Sequence, residues 1–258
     1  MKIALCFSGQ PRYIGKSFEE YEKNILQNND VDVFAHLWWD DSYQGKTFSW
    51  ESMETYPVDY NPIDEFKEKF RPKNIIVEPH KPKEFFGYSN YSQKCLFDSS
   101  IQGDIVRSMM LRQVSQWYSI KQSMSFEELK DYDIIIRTRT DLRFEEHIDF
   151  SRFVMDKVYM MDGSLQCGGN RHYQDWFWFG PKEYVLSINN TYDRTFTFFG
   201  DGIRHMHELV QHSITEEGIP GEILDLGVYL MDRKKINFSD QRKILTEKTQ
   251  EIQVDLVN

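Results

Sequence analysis

At 258 residues the chain can enclose one well-cored domain, and its 40% hydrophobic and 28% charged residues are ordinary for a soluble globular protein. A formal net charge of −10 argues against a polyanionic partner such as nucleic acid, which needs a surplus of Lys and Arg facing phosphates, but leaves room for a small phosphorylated ligand. The aromatic share, 15%, falls in clusters at 34–39, 85–91, 173–179 and 196–199; such rings commonly fill cores and also offer flat faces to bases and sugars.

The first predicted element is a buried strand over 2–7, carried by the apolar run Ile3 to Phe7. That run is too short for a signal peptide or a membrane span. Cys6, Cys95 and Cys167 are odd in number and lack a CxxC pair, which fits a reducing compartment, so a cytosolic protein without a membrane span is expected. Ser8-Gly9-Gln10-Pro11-Arg12 breaks the strand, and a helix follows over 13–26. A second strand covers 31–37 and runs into His36-Leu37-Trp38-Trp39-Asp40-Asp41. Residues 40–62 read as loop, with Pro57 and Pro62 as breakers. A helix over 63–70 and a strand over 74–78 complete an alternation that predicts an α/β protein with a mostly parallel sheet flanked by helices.

Residues 79–102 read as a long surface loop. The longest helical pattern, 104–124, carries Val106, Met110, Val114, Trp117 and Met124 on one face, while Arg112 and Gln116 share another. Ser125 with Glu128 has the form of a capping box for a short helix ending near Lys130. The stretch Asp131-Tyr132-Asp133-Ile134-Ile135-Ile136-Arg137-Thr138-Arg139-Thr140-Asp141-Leu142-Arg143-Phe144 is a β-rich run that turns polar where a strand would leave the core. Further strands are expected at 158–161 and 176–179, and helices at 182–189, 203–212 and 223–231. The tail from Arg233 is charged and weakly patterned. A single domain over 1–258 follows, with 1–145 as its first half, 146–233 as its second and 234–258 as a tail.

In open α/β sheets ligands bind beyond the carboxyl ends of the parallel strands. Ser8–Arg12, His36 to Asp41 and Thr138 to Asp141 all fall at such ends and would converge. Gly9 permits close backbone approach, Ser8 and Gln10 offer hydrogen bonds, and Arg12 can pair with phosphate. If the later segment stays extended, Arg137, Arg139 and Asp141 share one face. Arg112 and Gln116 would line the same pocket from the long helix.

The pairing of Cys6-Phe7-Ser8-Gly9-Gln10-Pro11-Arg12 with Tyr132-Asp133-Ile134-Ile135-Ile136-Arg137-Thr138-Arg139-Thr140-Asp141-Leu142 resembles a group of GT-A-fold glycosyltransferases. These occur in bacterial surface-polysaccharide loci and in large viruses and phages, and the resemblance covers about residues 2–180. It implies a Rossmann-type GT-A domain that moves a sugar from a nucleotide-sugar donor to a glycan acceptor. In such families an Asp-x-Asp motif holds Mn²⁺ or Mg²⁺ against the donor's diphosphate. Here the triplet is Arg139-Thr140-Asp141, so Asp141 is the candidate metal ligand and the first carboxylate is replaced by Arg. Mg²⁺ can manage with one carboxylate, diphosphate oxygens and waters. Alternatively Arg137 and Arg139 neutralise the diphosphate directly.

By the same resemblance Ser8, Gly9, Gln10, Arg12, His36, Arg112, Gln116, Arg137 and Arg139 form the donor side. Gly168-Gly169-Asn170-Arg171 and Asp175-Trp176-Phe177-Trp178-Phe179-Gly180 fall on the acceptor side. Asp175 is the candidate carboxylate to deprotonate the acceptor hydroxyl or hold the donor sugar, with Glu222 behind it. Glu222 also suits the first turn of a helix, and Trp176 and Trp178 also suit the core. His207 reads as a satisfied, half-buried histidine, and no HExxH signal supports zinc. A sugar nucleotidyltransferase and a non-catalytic carbohydrate-binding module are the alternative readings.

Overall fold

Five apolar residues in a row leave neither face of an extended chain polar, so the run Ile3 to Phe7 must be covered on both sides. The computed structural model describes residues 1–44, 47–48, 56–57, 61–80, 101–162, 173–203 and 206–231, and in it this run becomes β1 (Ile3–Gly9), enclosed on both faces. Ile3, Leu5 and Phe7 pack into one core with Tyr21 and Ile25 and with Phe66 and Phe70. Ala4 and Cys6 face the other, made with Val114, Trp117 and Ile120. Each fully buried Leu, Ile or Phe of this kind contributes about 1.5–3 kcal/mol.

The first core is closed by α1 (Ile14–Tyr21), which continues as a π-helical turn (Glu22–Leu26), and by α2 (Pro62–Phe70). α2 begins where the Asn61 side chain accepts from the Ile63 amide (2.9 Å) and Pro62 takes the first turn. Between them lies β2 (Val31–Trp38), and β3 (Thr47–Phe48) and β4 (Tyr56–Pro57) form a small antiparallel pair inside the expected loop. β5 (Asn74–Glu78) falls where its pattern placed it. The second core is closed by α3 (Ile101–Ser123), whose Met110, Val114, Trp117 and Ile120 are buried.

Beyond α3 come β6 (Ile134–Thr138), β7 (Leu142–Phe144), β8 (Val158–Asp162) and β9 (Tyr173–Pro181). Three helices follow: α4 (Lys182–Ile188), α5 (Thr191–Gly200) and α6 (Met206–Glu216). β10 (Gly221–Leu224) and β11 (Val228–Leu230) end the described chain. The main sheet has seven strands in the order β10-β8-β9-β6-β1-β2-β5, parallel except for β9, which runs against both its neighbours. Among the described residues no helix is long and apolar enough to cross a membrane.

Two expectations fail in this part of the chain. Ser125 and Glu128 form no capping box. The Ser125 hydroxyl donates back to the Gln122 carbonyl (2.8 Å), Glu128 accepts from Asn74 (3.1 Å), and the segment is a 3-10 turn (Glu127–Asp131). Nor are residues 223–231 a helix. They are β10 pairing with β8 and β11 pairing with β7, separated by Gly227 at φ +60°, a backbone conformation that interrupts any helix. The helix expected at 203–212 starts later, at Met206, and α5 precedes it. Of the loop expected at 79–102, residues 101–102 belong to α3 and 81–100 lie outside the described residues, as do the motif 168–171 and the tail from 233.

The sheet grows outward from β1 in one direction through β2 and β5, and then α3 carries the chain back to β6 on the other side of β1. The switch point of the topology therefore lies between β1 and β6, the place where sheets of this kind form a crevice at the carboxyl ends of their strands.

Candidate functional site

Two turns meet at that crevice. β1 ends in Gly9, whose φ of +112° suits glycine and strains other residues, and nothing lies within 4 Å of where its Cβ would stand. β6 ends at Thr138, and the chain turns through Arg139, Thr140 and Asp141 before β7. Thr140 joins the two turns. Its hydroxyl donates to the Gln10 carbonyl (3.0 Å) and accepts from the Arg12 amide (2.9 Å), across separations of 130 and 128 residues. From α1, the buried Tyr21 hydroxyl donates to the Arg139 carbonyl (2.7 Å) and shares a hydrogen bond with the Thr138 hydroxyl. The Met231 amide donates to the Asp141 carbonyl (2.9 Å).

Three charged side chains gather on this frame. Arg139 forks onto Asp141, Nε to Oδ1 at 2.8 Å and Nη2 to Oδ2 at 2.7 Å. Arg12 brings Nη1 to 3.6 Å from Oδ2, and its Nε donates to Gln10 Oε1 at 3.1 Å. Asp141 is nearly enclosed, at 4% side-chain exposure, whereas Arg139 and Arg12 keep 22% and 15%. Burial pushes the Asp141 carboxyl up, but the Arg139 and Arg12 guanidiniums outweigh it and hold the group below its ordinary value. The carboxylate is therefore charged at neutral pH, and the two guanidiniums leave a net positive charge at the mouth of the crevice. Ser8, beside it on β1, is buried, and its hydroxyl has no hydrogen-bond partner among the described residues.

A divalent cation does not fit this arrangement. Both Asp141 oxygens face guanidinium nitrogens, and position 139 offers a cation where a second carboxylate would be needed. A dication brought to Asp141 would stand beside two guanidiniums and be repelled by both. Among the described residues no three His, Cys, Asp or Glu side chains are grouped to hold a metal ion.

The remaining expected residues are placed differently. Arg137 is not on the crevice with Arg139, because the strand ends at Thr138 and the period-2 alternation stops there. Its guanidinium is buried over the Trp178 ring, 4.8 Å from the centroid, and Nη1 donates to the Asp175 carbonyl. Burial draws its pKa down to about 9, with the Asp175 carboxylate acting in the opposite sense, so it stays charged at neutral pH.

β9 runs antiparallel to β6 with Trp178 opposite Arg137, which puts Asp175 just past the carboxyl end of β6. It reaches the edge of the site, but not as an open base. Its carboxylate is buried, accepts from Gln116 Nε2, and lies 3.2 Å from His207 Nδ1. Burial alone would raise its pKa; His207 and then Arg137 more than offset that and lower it, which also makes it a weak proton acceptor. His207 is thus buried against a carboxylate, not half-buried. Trp178 is core. Trp176 is buried too, in the opposite core from Trp178.

Gln116 reaches this cluster, while Arg112, one turn earlier on α3, is exposed. His36 is wholly buried, with Nδ1 2.8 Å from the Ser119 hydroxyl and Nε2 3.5 Å from Glu78, and cannot touch a ligand in the crevice. Glu222 is not at a helix start. It lies on the edge strand β10, half-exposed, with its carboxylate 3.3 Å from Lys157, which precedes β8 at the amino end of that strand. Thr140 and Tyr21 were given no role by the sequence patterns, and His207 was read only as a half-buried histidine. Their roles run through contacts between segments far apart in the chain.

No known protein family matches the sequence, and no curated protein matches it.

Proposed function

We propose that the chain is a nucleotide-sugar glycosyltransferase of the GT-A type, with the donor seated in the crevice between β1 and β6. The observation that carries this reading is the joining of residues 8–12 to residues 139–141, which gathers Arg12, Arg139 and Asp141 at the topological switch point with positive charge in excess. Open space above Gly9 and the buried Ser8 hydroxyl suit close approach of a ribose or phosphate. In the reaction the bond between the sugar's anomeric carbon and the diphosphate oxygen breaks, and a bond to an acceptor hydroxyl oxygen forms as that hydroxyl loses its proton. Negative charge develops on the leaving nucleoside diphosphate. Guanidiniums already fixed at that place stabilise it more in the transition state than in the ground state.

The test is a thermal-shift screen of UDP-, GDP-, CMP- and dTDP-sugars followed by product analysis. A donor present at roughly 100 times its dissociation constant stabilises the fold by about 2.7 kcal/mol, and the expected product is a glycosylated acceptor with free nucleoside diphosphate. Turnover of a nucleoside triphosphate with a sugar phosphate would instead make the chain a nucleotidyltransferase. Binding of free sugar with indifference to every nucleotide would make it a carbohydrate-binding module.

A further inference from the structure

Resting on that reading of the crevice, we infer that the site takes its diphosphate-bearing ligand without a divalent cation. The Arg12–Asp141–Arg139 cluster supplies the positive charge, and Asp141 is a positioning residue for the two arginines rather than a metal ligand. A carboxylate that waits for a metal keeps its oxygens toward the place the ion will occupy. Asp141 instead accepts both prongs of the Arg139 fork and faces Arg12 on the same oxygen. Its burial would penalise the charge, and it is the arginines that keep it ionised.

The frame is built to hold the guanidiniums still. Gln10 holds Arg12, Thr140 holds the Arg12 amide, and Tyr21 holds the Arg139 carbonyl. Rigid, partly solvent-facing guanidiniums are the side chains best suited to two neighbouring phosphate groups, since each presents a planar fork of donors and always carries its charge. Asp141 sets the angle between them and lowers the cost of keeping two like charges side by side.

Isothermal titration with inorganic pyrophosphate and with the nucleoside diphosphates, run in EDTA and in Mn²⁺, tests this. Wild type should bind with closely similar affinity in both. Arg139→Gln should lose about tenfold or more in EDTA, as expected for the loss of a charge-assisted hydrogen bond. Arg139→Asp places a second carboxylate two residues before Asp141, and should bind poorly in EDTA and gain affinity with Mn²⁺. Asp141→Asn separates the two roles most sharply. As a positioning counter-charge, its removal leaves pyrophosphate binding in EDTA at least as tight as in wild type while turnover falls. As a metal ligand, its removal would weaken a Mn²⁺-dependent affinity. Thermal melts confirm that each variant is folded.

Wild-type binding that requires Mn²⁺ overturns the inference, as does unweakened binding by Arg139→Asp in EDTA or the absence of diphosphate binding in either condition. Sugar transfer that depends strictly on Mn²⁺ would sink this inference and leave the glycosyltransferase reading standing. Metal-free diphosphate binding without transfer to any acceptor would do the reverse.

Discussion

The protein contains the same pair of residue types twice, an arginine beside an aspartate, at two depths. At the mouth of the crevice Arg139 and Asp141 meet head-on, and the arginine keeps part of its surface in solvent. Behind it Arg137 and Asp175 are both buried, and their contacts are with protein: an indole face, a main-chain carbonyl, a glutamine and a histidine. In the outer pair the arginine can exchange its partner for a ligand, because its guanidinium already meets solvent and Arg12 still faces the carboxylate. The inner pair cannot, because losing one member strands a charge in a low-dielectric interior. Both carboxylates are buried; it is the exposure of the arginine that separates the two pairs.

The largest expected effect is on the inner pair. Arg137→Met should destabilise the fold by about 3–5 kcal/mol, the usual cost of removing one member of a buried charge cluster, seen as a lower midpoint in urea unfolding. A change confined to turnover would erase the distinction between the two pairs. The outer pair should behave in the opposite way. Arg139→Ala should lower kcat by about 10²–10³, as for removal of one donor aimed at developing negative charge, with a smaller loss of stability than Arg137→Met because Arg12 still faces Asp141.

Acid should probe His36, together with His80, whose pKa burial also lowers. Burial lowers the His36 pKa from 6.5 to about 4, although Glu78 opposes the shift, so the ring is neutral in the fold and makes no ion pair with Glu78 at neutral pH. Between those two values the unfolded chain binds more protons than the folded one. Stability is therefore complete above pH 6.5 and is lost as pH falls toward 4, by up to about 3 kcal/mol. Unfolding of a His36→Gln variant over the same range should lack that part of the slope.

Tyr21→Phe touches the frame of the outer pair from the core side. It leaves the Arg139 carbonyl and the Thr138 hydroxyl without a partner, and should cost about 1–3 kcal/mol together with a smaller loss of kcat than Arg139→Ala. The smallest effect belongs to Glu222→Gln, which alters an exposed contact with Lys157 on an edge strand. Transfer assays should show no change, and a dead enzyme would return Glu222 to the site.

Much of the sheet was legible because its strands are apolar on both faces. Ile3 to Phe7 and Ile134 to Ile136 admit no other reading. The segment 221–231 misled because two strands of three and four residues, joined by a turn at Gly227, present apolar residues at intervals that also fit a helix. α5 was missed because Thr191-Tyr192-Asp193-Arg194-Thr195-Phe196-Thr197-Phe198-Phe199 is rich in β-branched and aromatic residues, and tertiary packing overrides that propensity. In the site, Asp141 and Arg12 were visible as charges at strand ends. That Arg137 and Arg139 would part company was not, since period-2 reasoning needs to know where the strand stops. Thr140 offered no signal at all, because its importance lies in a hydroxyl bridging main-chain atoms about 130 residues apart.

The position of β1 has a consequence for how the protein is made. β2 follows soon after and can pair along one side of β1 as it leaves the ribosome, but the other side waits for β6, more than a hundred residues later. Throughout that interval an entirely apolar strand carries an open edge, the feature most prone to join another chain. Slower or cooler expression, or a chaperone that shields that edge, should therefore raise the yield of soluble protein more than any change at the crevice.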